Sequence, residues 1–324
     1  MDGGPAPARL APLAPLTPLT PGSVTRGEAR RLASIADFYD HATADYRHWS
    51  AELHMHFGCW RWPLSPFDRA GMVERLSADV LDRLALVPAP APTLAPSARR
   101  QVVDLGCGVG TTARLLARRE PALDVLGLSL SPEQVAYGNR ISDALGLAAR
   151  VALRVGDYRS TPCPAGSLAG AYAIESACYD PEHGAGLIGE AARVLAPGAR
   201  LVVADAFRRR AKVSRPAAAV ERRMLAGWRL PQLTELERFV AHLDAHGFED
   251  VRVEDISWRI GPSVLQVPFV ALRHRVREGR DLDRWRRGNA SASVWGLAYG
   301  LLFPRCLGYF VVTATRGPAS AAQP

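Results

Sequence analysis

Apolar residues change their spacing along the chain, and each change marks an element. Between residues 67 and 86 the apolar positions Met72, Leu76, Val80 and Leu84 recur at helical spacing and predict an amphipathic helix. From about residue 98 onward, short apolar runs alternate with helical stretches. The runs at 102–105, 125–128, 151–155, 168–174, 200–204, 251–256 and 309–315 read as strands. Helices are expected at 111–118, 132–145, 186–195 and 234–246, with a turn at Pro197 and Gly198. Such alternation predicts an α/β fold, a doubly wound seven-stranded sheet with helices on both faces. Upstream, residues 25–44 read as a helix, and a loop rich in His and Trp follows at 46–63. Two stretches break the alternation, at about 207–230 and 258–307. Both should leave the sheet at its ligand-binding edge and add a helical cap.

The chain then divides at its prolines. Residues 1–24 form a Pro/Ala-rich tail expected to be disordered, because proline at this density disfavours helix and interrupts the apolar core a signal peptide needs. Residues 25–97 carry the N-terminal helices and a lid, ending in the prolines Pro88, Pro90, Pro92 and Pro96. Residues 98–324 form the main domain, interrupted by the two cap insertions. No apolar run reaches the roughly 18–20 residues needed to span a bilayer. The longest, 292–303, contains Gly296 and Gly300 and stops at Pro304; it reads as buried protein or as the wall of a greasy pocket.

Composition adds two constraints. The five cysteines, Cys59, Cys107, Cys163, Cys178 and Cys306, are scattered, odd in number and without metal-ligand spacing. That predicts a reducing compartment, hence a cytoplasmic protein, with no disulfide and no bound metal. The net charge is +8, with Lys212 the sole lysine. The arginines are dispersed and do not alternate with aromatics, so a solvated arginine-rich surface is expected rather than a nucleic-acid platform.

The candidate chemistry sits where strands end. Val102-Val103-Asp104-Leu105-Gly106-Cys107-Gly108-Val109-Gly110 is a strand, a glycine turn and a helix start. Glycines there allow positive φ and close backbone approach to a ligand, and the next helix offers free N–H groups. Alone the motif is unspecific, since nicotinamide-binding folds use a similar one. The strand that ends in Asp104 and the Gly-Cys-Gly-Val-Gly spacing resemble the class I S-adenosylmethionine-dependent methyltransferases, with their Rossmann-like sheet. There the loop wraps the methionine part of the cofactor, which implies Asp104, Gly106, Cys107, Gly108 and Gly110 as cofactor-binding residues.

The next motifs carry the resemblance further. Gly127-Leu128-Ser129-Leu130-Ser131-Pro132-Glu133-Gln134 has Ser129 where many family members carry an acid for the ribose. It is similar to the branch holding cyclopropane fatty acid synthases and the sterol, tocopherol and prenyl diphosphate C-methyltransferases. The resemblance implies ribose contacts for Ser129, Leu130 and Gln134, while Ser131 and Pro132 also make an ordinary helix start. In Gly156-Asp157-Tyr158 it places Asp157 near the adenine amino group and Tyr158 beside the ring. Tyr39 and Asp40 resemble an element whose tyrosine closes over the cofactor. The landmark Glu190-Ala191-Ala192-Arg193-Val194-Leu195-Ala196-Pro197-Gly198 supports the fold more than it locates chemistry.

Ile174-Glu175-Ser176-Ala177-Cys178-Tyr179-Asp180 resembles the Glu-Ser-x-x-His/Tyr pattern of the same branch, facing the site of methyl transfer. Ile174 is then a cofactor contact. Glu175 is either a base with a raised pKa or a cofactor contact; Tyr179 either stabilises a cation or packs. In Leu53-His54-Met55-His56-Phe57-Gly58-Cys59-Trp60, His54 and His56 are alternative bases on a lid that excludes water, with no third metal ligand nearby. Trp49, Phe57, Trp60 and Asp205 are expected in the substrate pocket. Arg208, Arg209, Arg222 and Arg223 either hold a substrate diphosphate or are solvated charge.

The expectation is methyl transfer from S-adenosylmethionine to a small hydrophobic acceptor, an isoprenoid or related natural product methylated at carbon. The alternatives are O- or N-methylation of an aromatic or polyketide-like product and a non-catalytic cofactor-binding protein.

Overall fold

The computed structural model describes residues 25–43, 46, 49–86, 99–278 and 289–318. The expected tail at 1–24 and most of the proline-rich linker lie outside the described residues.

Two helices precede the sheet. Helix α1 (Arg26–Ala42) starts at Thr25, whose hydroxyl accepts the Glu28 N–H, and buries Leu32, Ile35 and Phe38. Helix α2 (Arg69–Arg83) starts at Asp68 in the same manner and buries Met72, Val73, Leu76 and Val80, the stripe its spacing predicts. It is shorter than the expected 67–86, because the cap at Asp68 sets its first turn.

The main domain then alternates. Strand β1 (Arg100–Leu105), α3 (Thr111–Arg119), β2 (Leu123–Ser129), α4 (Pro132–Ala144), β3 (Val151–Val155), β4 (Leu168–Ile174), α5 (Ala185–Val194) and β5 (Leu195–Arg208) follow in order. After β5 come α6 (Arg215–Trp228), α7 (Leu236–Ala245), β6 (Phe248–Asp255), α8 (Ser257–Val264), α9 (Val267–Glu278), α10 (Asn289–Leu302) and β7 (Leu307–Arg316). β5 runs longer than expected: the turn at Pro197 and Gly198 lies inside it, and the pairing with β4 is irregular between Leu168 and Gly170. Residues 207–208, expected in the cap, also belong to this strand.

The seven strands form one sheet in the order β3-β2-β1-β4-β5-β7-β6. β1 to β5 pair in parallel, and β7 runs antiparallel between β5 and β6. This is the doubly wound, Rossmann-like arrangement that the alternation predicts. The order reverses between β1 and β4, the switch point at which such sheets bind ligands beyond their carboxyl edge. Because β7 is antiparallel, its first residues lie at that same edge; Tyr309 pairs with Ala206, and Phe310 with Asp205.

Alternate residues of each strand feed different layers. Val102 and Val125 pack with α2 and α3 on one face, where Leu76, Leu116 and Tyr172 are fully enclosed. Val103, Leu105 and Leu126 pack on the other with Leu187, Phe207, Phe239 and Leu243. Truncating Phe207 to alanine would cost on the order of 3–5 kcal/mol.

The stretches that break the alternation form a helical cap. α6 packs against α10 around Ala217, Met224, Leu233 and Tyr299. α10 holds most of the apolar run at 292–303. No helix among the described residues is long and apolar enough to cross a membrane.

Candidate active site

The glycine turn after β1 is built for close approach. Gly106, Gly108 and Gly110 all have positive φ, +103°, +54° and +76°. A Cβ on Gly106 would lie 2.3 Å from the Ser176 Cβ, so the turn after β1 presses directly on the turn after β4. Ser176 fastens the two by donating from Oγ to the Leu105 carbonyl at 2.5 Å. Gly110 is the left-handed residue from which α3 starts.

A cleft opens at this junction. It is lined by Asp104, Gly106, Cys107, Gly108, Ser129, Leu130, Gln134, Tyr158, Ile174 and Tyr39, ten of the residues expected to bind cofactor. Two expected residues fall outside it. Gly110 turns the chain into α3, and Asp157 is bound by its own neighbour: Arg159 Nε lies 3.0 Å from each of its carboxylate oxygens, and the same guanidinium reaches Glu28 of α1. Burial raises the Asp104 carboxyl to about 7, although the Tyr172 hydroxyl donates to it at 2.9 Å and opposes the shift.

The second strand's turn is a small polar lattice. Ser129 Oγ donates to the Gln134 side-chain oxygen at 2.7 Å, and Ser131 Oγ accepts the Gln134 N–H as the α4 cap. Gln134 Nε2 reaches Thr43 Oγ1 at 3.1 Å and Met55 Sδ at 3.2 Å. Ser131 also bonds Asp40. α1 and the loop after it therefore lie on the cleft, with Tyr39 in its wall.

Tyr39 meets Tyr179, which sits on the short turn Ala177–Tyr179 after β4. Their hydroxyls are 2.9 Å apart, and Tyr179 donates onward to the Trp228 carbonyl at 2.9 Å. A carbonyl only accepts, so Tyr39 is the donor to Tyr179. Burial pushes both phenols well above their ordinary pKa, and they stay neutral.

Beyond these residues lies a larger cavity of about 490 Å³. Its wall comes from the lid loop (Trp49, Met55, His56, Phe57), the strand ends (Glu175, Asp205, Tyr309) and the cap. Trp228 enters from α6, Val264 from α8, Val270 and Ala271 from α9, and Gly296 and Leu297 from α10. Tyr39, Met55, His56, Glu175 and Tyr179 line cavity and cleft alike.

Glu175 occupies that shared wall with φ +50°, unusual for a residue with a side chain. Its Oε1 accepts the Phe57 N–H at 2.8 Å and the Tyr309 hydroxyl at 2.9 Å. Burial raises the carboxyl to about 8; Asp205 nearby adds to the shift, while the two donors oppose it. Asp205 is raised by burial to about 6 and accepts the N–H groups of Cys178 at 3.0 Å and Ala206 at 2.7 Å.

The two histidines form a buried neutral pair. His56 Nδ1 lies 2.8 Å from the Phe57 carbonyl and must donate to it. Its Nε2 is then the acceptor, 3.2 Å from His54 Nδ1 and 3.1 Å from Ser77 Oγ, which continues to Thr112 at 3.0 Å. Burial lowers His54 to about 3 and His56 to about 4. His54 lines only the cleft.

Of the expected pocket residues, Trp49, Phe57 and Asp205 line the cavity and Trp60 does not. Trp60 is held by the Leu64 carbonyl and braces Trp258 edge-on at 6.0 Å; of this pair it is Trp258 that lines the wall. Tyr309 and Met55 are site residues that sequence reasoning missed. Met55 stands inside the lid motif at 53–60, whereas Tyr309 has no local signal.

The candidate diphosphate arginines are engaged elsewhere. Arg208 pairs with Glu221 and with Glu235 at 3.6 Å. Arg209 pairs with Asp255 at 2.6 Å and lies over the Phe310 ring. Arg223 lies over Trp295. Arg222 is exposed and does not line the cavity.

Known proteins resemble this chain in sequence and in fold. Residues 102–198 match the family model described as a methyltransferase domain. The chain is similar to methyltransferase GfsG of Streptomyces halstedii, 30% identical over 250 residues that cover 76% of this chain and 84% of that protein. It is similar to a probable chloroplastic tocopherol O-methyltransferase of Oryza sativa subsp. japonica, 29% identical over 234 residues, 70% of this chain but only 63% of the rice protein's length. Among solved structures, a geranyl diphosphate methyltransferase in complex with GPP and sinefungin superposes with a TM-score of 0.67 at 18% identity, covering 89% of this chain and 99% of that one.

Proposed function

The chain belongs to the S-adenosylmethionine-dependent methyltransferases, and from that premise we propose that its acceptor is a bulky, uncharged, apolar molecule, an isoprenoid or related natural product methylated at carbon. The observation that carries this reading is the cavity. It is large enough for a drug-sized ligand, adjoins the cofactor cleft, and has Arg209 as its one cationic wall residue among those described. Arg209 is already paired with Asp255. An acceptor carrying a diphosphate would find no unengaged cation in that wall, so the reading leaves the diphosphate out.

The cleft fits the cofactor: the glycine turn lines it with bare backbone at Gly106 and Gly108, and the polar lattice at Ser129 and Gln134 presents hydroxyl and amide groups. Bound there, S-adenosylmethionine supplies a methyl group on a positively charged sulfur. In this reading Ser129, Leu130 and Gln134 hold the ribose, Tyr158 flanks the adenine, and Tyr39 closes over both. α1 and the loop to α2 act as the lid, and α6 with α8 to α10 as the cap over the acceptor. Water is excluded by the lid, which Phe57 ties to Glu175.

Carbon methylation suits the ionisation states. An alkene attacks without prior loss of a proton, so a carboxyl that is mostly protonated at neutral pH does not block the first bond. The cation then left on the acceptor is met by the faces of Trp49, Phe57 and Tyr179, each worth about 0.5–2 kcal/mol. The ionised fraction of Glu175 is the reactive form: its own proton is lost to solvent before the site closes, and Oε2, which neither donor occupies, then accepts the proton that the acceptor cation releases. His54 and His56 serve as a neutral brace of the lid rather than as bases. A second reading, methylation of a hydroxyl oxygen, is favoured by Asp205, whose pKa of about 6 leaves it ionised beside the cavity. The free, scattered cysteines support a reducing, cytoplasmic setting.

The test is release of S-adenosylhomocysteine with a panel of uncharged terpenoids, prenyl diphosphates, phenols and fatty acyl lipids, followed by NMR of the product. Turnover of an uncharged terpenoid with a new C–CH₃ group is expected. A methyl ether, or a strict requirement for diphosphate, would overturn it.

A further inference from the structure

Large apolar side chains that reach solvent are concentrated at the mouth of the acceptor cavity. Trp258, Leu265 and Leu301 line the cavity and are nevertheless exposed. Phe269 and Leu272 project from α9 beside the lining residues Val270 and Ala271, and Phe269 is 75% exposed. Leu302 follows Leu301 on α10. The loop before α2 adds Trp62 and Phe67, 81% and 86% exposed. That loop is joined to the cap: Gln266 donates to the Pro66 carbonyl at 3.0 Å and accepts from Arg69 at 3.3 Å, and Trp60 stacks edge-on against Trp258. The other exposed large apolar side chains among the described residues, Leu145, Val155 and Val253, sit apart at the end of α4, on β3 and on β6. A cluster of this kind on one face marks an interaction surface rather than ordinary scatter.

Charge at the margin is positive. Arg61 and Arg273 are exposed on the same loop and helix, and Arg305 follows the end of α10. The acid within residues 57–68 of that loop, Asp68, is turned back as the cap of α2, accepting the Gly71 N–H at 2.9 Å. Aromatic and leucine side chains with exposed arginines on the same loop, on the same helix and just past α10 match the interface of a bilayer with anionic headgroups, where rings and methyls enter the acyl boundary and guanidinium groups stay with phosphate. The apolar floor of the cavity is continuous with this patch through Trp258, Leu265 and Leu301. An apolar acceptor passing this way would not have to cross water.

We propose that this face docks on the surface of an anionic lipid bilayer and that the acceptor enters the cavity from the membrane. The docking stands on the patch alone; the delivery of acceptor rests on the apolar-acceptor reading above.

The test is co-sedimentation of the full chain with phosphatidylcholine vesicles, with and without phosphatidylglycerol, in the absence of acceptor and cofactor. Binding is expected, and stronger with phosphatidylglycerol. The double variant Phe269→Asp/Leu272→Asp should bind on the order of tenfold or more weakly, Arg305→Glu about fivefold more weakly, and Leu145→Asp as tightly as the wild type. The double variant should turn over a detergent-dispersed acceptor at the wild-type rate but an acceptor embedded in vesicles more slowly. Equal vesicle binding by the double variant and the wild type would overturn the proposal. So would absence of binding together with a dimer in light scattering that the double variant dissolves, since a second copy would then be the occupant. Vesicle binding with no turnover of any apolar acceptor would leave docking standing and sink the acceptor reading.

Discussion

The cofactor cleft and the acceptor cavity meet across Tyr39, Met55, His56, Glu175 and Tyr179, yet their remaining walls are made differently. Most of the cleft comes from short segments at the ends of β1 to β4, each a few residues long and each fixed by its own turn. Much of the cavity comes from single residues on helices α6, α8, α9 and α10, separated by up to about eighty positions in the chain. The cleft is held by polar bonds and tight backbone contact, the cavity by packing of interchangeable apolar groups. A one-atom change should therefore be ruinous in the first and graded in the second.

The largest expected effect is at the glycine turn. Gly106→Val should weaken S-adenosylhomocysteine binding by about a hundredfold or more and lower stability by on the order of 2–4 kcal/mol, because a side chain there meets Ser176 at positive φ. Calorimetric titration and thermal melts would read this; affinity within threefold of wild type would break the contrast. Next comes the shared wall. Glu175→Gln should lower kcat by about 10²–10⁴-fold while leaving cofactor affinity within a few fold. Full turnover would remove Glu175 as the proton acceptor.

Filling the cavity should act on the acceptor alone. Val270→Trp should raise KM for a bulky acceptor by roughly tenfold with cofactor affinity unchanged. A parallel loss of both would mean that the two compartments are not separable. A smaller effect is expected in pH dependence. The Tyr309 hydroxyl stabilises the charged Glu175, so Tyr309→Phe should raise the carboxyl further above about 8 and move the rising limb of kcat to higher pH, by about half to one unit. A limb displaced to lower pH would contradict the assigned donor. Smallest is Tyr179→Phe, which ends the relay from Tyr39 to the Trp228 carbonyl and should cost about fivefold in cofactor affinity.

The difference between the two regions also governs what could be read in advance. Asp104, Gly106, Ser129, Gln134 and Ile174 sit within a few residues of a strand end that periodicity locates, so their motifs place them in the cleft. Asp157 is legible as a motif acid, but its partner Arg159 lies two residues away and competes for it, so the motif alone does not decide where its charge is used. Trp60 and Trp258 show the converse. Both are tryptophans outside the alternation of strand and helix, and only the packing of the lid loop on the cap puts the second in the wall and leaves the first out of it.

By itself the chain's pattern determined the alternation of strand and helix, the number of strands and the glycine turn after β1, because these depend on side-chain period and on local backbone freedom. Tertiary structure decided the order in which β7 inserts between β5 and β6, and with it the meeting of Tyr309 and Glu175. It also decided the raised pKa of that carboxyl, the neutrality of His54 and His56, and the shape of the cavity. Those properties depend on which groups remove water from one another, and pairs more than a hundred residues apart meet only once the sheet has closed.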